Sequence, residues 1–85
     1  MSNKQFHGQI STVSEAVQAI GKLDSNDEYA RFILFGIARI TGQMIGRDEL
    51  RPTYQRLLSA SICAGFNRRD AQDALENYLT RGMAA

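Results

Sequence analysis

FILFGIARITGQMIGR, residues 32–47, sets two phenylalanines and four isoleucines among three glycines and two arginines. On a helical wheel of about 100° per residue its apolar residues fall on one broad side. Tyr29, Ile33, Ile37, Ile40 and Met44 form one stripe, and Ala30, Leu34, Ala38, Thr41 and Ile45 widen it. The spacing predicts a long helix from about residue 26 to 45, stopped by Gly46 and serving as the central post of a helical domain. Phe32 and Phe35 fall outside the stripe, on the side that holds Arg31, Arg39, Gly42 and Gln43. A helix that is apolar nearly all round is either enclosed or shared with a partner. A domain this small has too much surface for its volume to enclose a helix easily. Phe32, Phe35, Arg31 and Arg39 are therefore the expected contact patch, since aromatic and arginine side chains are enriched at the energetic centres of protein interfaces. The competing expectation is that the first helix, or the N-terminal arm with Phe6, folds over the two rings.

The rest of the chain supplies neighbours for that post. Thr12-Val-Ser-Glu15 has capping-box spacing, and behind it Val13, Ala16, Val17, Ile20 and Leu23 share a face as far as Gly21. Ser25-Asn-Asp-Glu28 repeats the capping-box spacing ahead of the second helix. Asp48, Glu49 and Pro52 suit the first turn of a third helix, lined by Leu50, Tyr54, Leu57, Leu58 and Ser61 and ended by Gly65. Asn67 reads as the N-cap of a fourth, in which Ala71, Ala74, Leu75, Tyr78 and Leu79 form the stripe and Gly82 closes it. The expectation is an all-α fold, a compact bundle of four helices joined by short loops, with residues 1–10 as a flexible arm and 11–85 as a single helical domain.

Composition narrows the function. With 85 residues, 44% of them apolar and 22% charged, the chain has the makeup of one small globular domain and not of a disordered segment. Cys63 is the single cysteine, so no internal disulfide forms, which fits a reducing, cytoplasmic location. MSNKQFHGQI has no apolar core of a signal peptide, and Arg39, Gln43 and Arg47 break the longest apolar run, so no membrane role is expected. The net charge of +1 hides a basic middle: residues 31–69 hold seven arginines against Asp48 and Glu49. Arginine forks suit carboxylates and phosphates alike. The plain expectation is pairing with the acidic flanking segments; the alternative is an anion or nucleic-acid surface built from Arg47, Arg51, Arg56, Arg68 and Arg69.

No catalytic signature emerges. His7, the single histidine, has no ligands at metal-binding spacing, and no metal or cofactor is expected. Cys63 lacks a nearby base, and small neighbours such as Ser59 and Ala60 suggest helix packing there instead. Gly36, Gly42 and Gly46 have neither the strand nor the Lys-Ser/Thr ending of a phosphate loop, which leaves close helix packing and termination as their expected roles. No carboxylate sits in an apolar stretch that would raise its pKa.

The segment Gly65-Phe-Asn-Arg-Arg-Asp-Ala-Gln-Asp-Ala-Leu75 resembles the helical corner of ubiquitin-associated domains, a Gly-aromatic turn ahead of an A-x-x-A-L helix. The resemblance covers this corner alone, and it implies a turn between helices and not ubiquitin binding. As a DNA-reading corner it would bring Asp70, Asp73 and Glu76 toward phosphates, which argues against that use. The sequence thus points to a non-enzymatic regulatory or adaptor protein that binds a foreign protein or a second copy of itself, with inhibition of a larger machine as one such role. Nucleic-acid or nucleotide binding through the arginine band is the alternative.

Overall fold

A computed structural model describes residues 10–84. Four α-helices follow one another: α1 (Val13–Gly21), α2 (Ala30–Met44), α3 (Leu50–Cys63) and α4 (Arg68–Ala84), with a 3-10 turn over Arg47–Glu49 leading into α3. They form the all-α bundle expected from the sequence. The Cα radius of gyration is 11.6 Å, close to the roughly 12 Å of a compact chain of this length.

The helix ends show how local chemistry sets the elements. At α1 the capping box is complete: Glu15 N–H donates to Thr12 Oγ1 at 3.1 Å, and Thr12 N–H donates back to Glu15 Oε1 at 3.1 Å. Gly65 ends α3 with φ 105°, in the left-handed region glycine favours, while Gly65 N–H bonds to Ile62 O and Phe66 N–H to Ser61 O. This 5→2 and 6→1 pair satisfies the last carbonyls, and Phe66 then turns inward to pack against the core. Asn67 starts α4 as expected, its Oδ1 accepting from Arg69 N–H at 2.9 Å and Asp70 N–H at 3.3 Å.

Other ends differ from expectation. The second capping box does not form, and α2 begins at Ala30 with no side-chain cap. Instead Asp24 Oδ1 accepts from Asn26 N–H at 3.0 Å and Asp27 Oδ1 from Tyr29 N–H at 2.9 Å. Two successive aspartate turns thus hold residues 24–29 out of the helix, because short carboxylate side chains compete for the same backbone donors. Ser25, the expected cap, lies against Gly65. At the other end α2 stops at Met44, Ile45 turns extended, and Gly46 N–H donates to Glu49 Oε1 at 2.8 Å to cap the 3-10 turn.

The core gathers Ile20, Leu34, Leu57, Leu75 and Leu79 with Ala16, Ala38 and Ala71, all fully enclosed or nearly so. Of the buried hydroxyl residues Thr41, Thr53 and Ser61, two are satisfied along their own helices, Thr41 Oγ1 donating to Ile37 O at 2.7 Å and Ser61 Oγ to Leu57 O at 2.8 Å. Ile10, assigned from sequence to the arm, joins this core. The remainder of the expected arm, residues 1–9 with Phe6 and His7, lies outside the described residues.

α2 is the post, and α4 is the helix it meets most extensively. They cross at two glycines. A Cβ at Gly42 would collide with Leu79 O and lie 3.1 Å from Gly82 Cα; one at Gly82 would collide with Arg39 O. Gly42 is therefore inside the bundle and not on the outward side, and Gly82 is a buried contact within α4 and not its terminator.

Candidate functional site

The α2–α4 crossing decides which part of α2 is left bare. Phe32 is 65% exposed and Tyr29 62%, and they are the large apolar side chains that stand out into solvent among the described residues. Tyr29 was expected in the core stripe. Because α2 starts at Ala30, about four residues later than expected, Tyr29 precedes the helix and its ring stays outside. Phe32, placed outside the core stripe by its spacing, has its side chain in solvent.

Phe35 is different. It is half-buried, with its ring stacked on Tyr78 of α4 at 4.5 Å between centroids and 10° between planes. Tyr78 of α4 thus supplies cover for this ring. Phe32 meets Phe35 edge to face at 5.9 Å, so the exposed ring stands on a half-buried one. Arg81 lies 5.1 Å from the Tyr78 ring centroid, completing a column of rings and a cation at the surface.

The two expected arginines separate. Arg31 faces α4 and pairs with Asp70 at 3.9 Å, both side chains exposed. Such a pair contributes at most about 1 kcal/mol. Arg31 also borders two recesses, one of about 490 Å³ with Phe32 and the 25–28 loop, the other of about 320 Å³ with Phe35, Asp73 and Tyr78. Arg39 is exposed two turns beyond Phe32 and makes no ion pair among the described residues. Beside these residues the outer side of α2 carries half-buried Ile33 and Ile40, exposed Gln43 and, at its middle, Gly36. A Cβ placed on Gly36 would meet nothing within 4 Å. Sequence reasoning missed Tyr29 and Gly36 as parts of this face; the signal for Tyr29 was Asp27, whose side chain delays the helix.

The basic band is not one surface. Arg47 and Arg51 line a groove of about 680 Å³ between α3 and α4, floored by Leu50, Tyr54, Leu75 and Leu79 and faced by Glu76. Tyr54 is pushed above its ordinary phenol value by burial, then by the charge of Glu76. Arg56 instead reaches α1, Nη2 donating to Ser14 Oγ at 3.3 Å. Arg68 and Arg69 stand in the first turn of α4. Of the seven arginines expected to pair with the acidic flanking segments, Arg31 does so with Asp70, and it is the one ion pair among the described residues.

Cys63 is exposed, so the expected close helix approach at that position is absent. Among the described residues no three histidine, cysteine or acidic side chains cluster as metal ligands would, and no helix is long and apolar enough to cross a membrane. Compared with known proteins, the chain matches no family model, no curated protein and no solved structure.

Proposed function

We propose that this protein works by binding and not by catalysis, as a small cytoplasmic regulatory or adaptor protein that docks another protein chain on the outer side of α2. The observation that carries the reading is the pair Tyr29 and Phe32, separated by one helical turn and each more than half exposed. Leaving two aromatic rings in water forgoes the burial free energy that large rings gain most of any side chain. Phe35 and Tyr78 form a firm base under them, and Arg31 and Arg39 add polar contacts at the edges that set orientation and encounter rate. Inhibition of a larger assembly is one task such a face serves.

Site-specific photocrosslinking tests this. A photoreactive phenylalanine analogue replacing Phe32 should give covalent protein adducts in an extract of the native cell, whereas the same analogue at exposed Gln18 on α1 should not. Equal labelling from both positions, or none from position 32, would reject the docking face.

A second reading rests on the groove holding Arg47 and Arg51, two cations free of ion pairs among the described residues. There an anionic ligand or nucleic-acid phosphate would be the partner. Salt separates the readings, since phosphate binding weakens steeply with ionic strength and an aromatic-centred contact weakens little.

A further inference from the structure

We infer that the partner of the α2 face is a second copy of this chain, docked α2 against α2 in antiparallel fashion with the two-fold axis beside Gly36. The inference rests on the α2 reading above and specifies its occupant. Gly36 is the starting observation. A glycine inside a helix costs about 1 kcal/mol relative to alanine. At Gly42 and Gly82 this cost allows α2 and α4 to touch backbone to backbone. At Gly36 nothing among the described residues comes within 4 Å of the place a Cβ would fill. The residue that permits close helix approach thus sits at the centre of the bare face, with no helix opposite it.

The residues around Gly36 complement themselves under that symmetry. With about 1.5 Å of rise and 100° of turn per residue, positions before Gly36 on one helix face positions after it on the other. Phe32, four residues before, comes opposite Arg39, three residues after, on the same flank. Ile33 comes opposite Ile40 on the other flank. Tyr29 comes opposite Gln43 at the ends. Apolar side chains meet apolar ones, a phenol meets an amide, and each guanidinium meets the face of an aromatic ring, the pairing that Arg81 and Tyr78 already make within the protomer. Arg39 is the one charged residue on this strip, and the antiparallel register puts the two copies of it about 9 Å apart along the axis, each over a ring and not over the other.

Area sets the strength. Rings of this kind present about 150–250 Å² each, and with Phe32 65% and Tyr29 62% exposed they offer most of the buried surface. Adding the exposed parts of Ile33, Ile40, Arg39 and Gln43 brings the total for both protomers to roughly 800–1,000 Å², at the low end for specific interfaces. The dimer is accordingly weak and reversible, dissociating in the micromolar to millimolar range.

Sedimentation equilibrium of the purified chain from about 10 µM to 1 mM tests the association, with circular dichroism as the check on folding. The apparent mass should climb from 9.5 kDa toward twice that value. Phe32→Asp and Gly36→Leu should each weaken association at least tenfold, and Gln18→Asp should leave it unchanged. Register is tested in a Cys63→Ser background: Gly36→Cys should form a disulfide-linked dimer on mild oxidation, and Gln43→Cys should not, since the antiparallel arrangement holds the two copies of position 43 about 20 Å apart along the axis. A chain that stays monomeric at 1 mM overturns the inference, as does association indifferent to Phe32→Asp and Gly36→Leu, or efficient linkage through Gln43→Cys. The photocrosslink at position 32 tells the two claims apart. An adduct with a different protein from a monomeric chain overturns only the choice of occupant, whereas a monomeric chain with no adduct overturns the docking face as well.

Discussion

Gly42→Ala is the sharpest probe of how this bundle is held together. The added methyl would run into Leu79 O and would come within 3.1 Å of Gly82 Cα. Both obstacles are backbone, so no side chain can rotate away to make room. α2 and α4 must part by about 1 Å, and a gap of that size forfeits a quarter to a half of each dispersion contact across the crossing. Overpacking of a core by one methyl costs about 1–3 kcal/mol, and a backbone collision belongs at the upper end. Against this stands the better helix propensity of alanine, about 1 kcal/mol. The net loss is about 2 kcal/mol, which for a domain of this size lowers Tm by roughly 8–16 °C. Gly36→Ala supplies the control on the same helix. Its new Cβ meets nothing within 4 Å, so only the propensity gain remains and stability rises by about 0.5–1 kcal/mol. Urea denaturation followed by helical circular dichroism measures both, at a few micromolar so that self-association does not contribute. Opposite signs at two glycines six residues apart in one helix are the expected result. If Gly42→Ala proves as stable as the parent, α2 and α4 do not meet backbone to backbone and the account of the crossing is wrong.

The other predictions use the same assays. Phe35→Ala should lower stability by about 1–2 kcal/mol because it breaks the stack on Tyr78, whereas Phe32→Ala should change it by less than about 0.5 kcal/mol. Comparable losses at the two positions would mean that Phe32 is also enclosed. Thr12→Ala should cost about 1 kcal/mol through loss of the α1 cap, visible as a drop in Tm of about 4–8 °C. Glu15 accepts from Ser11 N–H at 2.7 Å and Ser11 Oγ at 3.0 Å as well as from Thr12, and these bonds, Ser11 foremost, hold its carboxyl below its ordinary value. Since the folded pKa lies below the unfolded one, the bonds favour the fold above the ordinary carboxylate range, and their contribution fades as pH falls through the lowered value. A side-chain carboxyl NMR titration should therefore find the Glu15 midpoint below the ordinary value of a glutamate in an unfolded peptide; a midpoint at or above it would contradict the capping geometry.

How much of this was legible before the fold was known depended on the range of the interaction. Thr12 and Glu15 named the start of α1, Gly65 and Asn67 named the corner between α3 and α4, and the spacings of Leu57, Leu75 and Leu79 named core faces. Each rests on groups within a few residues of one another, so the local sequence carries the whole cause. The start of α2 was misjudged for a related reason. Ser25 and Glu28 have capping-box spacing, but Asp24 and Asp27 offer the backbone a competing set of local bonds, and spacing alone does not rank the two.

The bare face of α2 lay beyond such reasoning. The wheel orders residues around the helix axis, but it does not say where a neighbouring helix will lie. Gly36, Gly42 and Gly82 are the same residue in similar surroundings along the chain. Only the placement of α4 makes Gly42 and Gly82 a buried crossing, covers Phe35 with Tyr78 and leaves Gly36 open beside Phe32. Four amphipathic helices and the rough places where they cap follow from local residue order, because capping and periodicity act within a turn or two. Which oily side of α2 goes uncovered is settled only in three dimensions, because it depends on how closely α2 and α4, whose crossing glycines lie forty residues apart in the chain, approach each other.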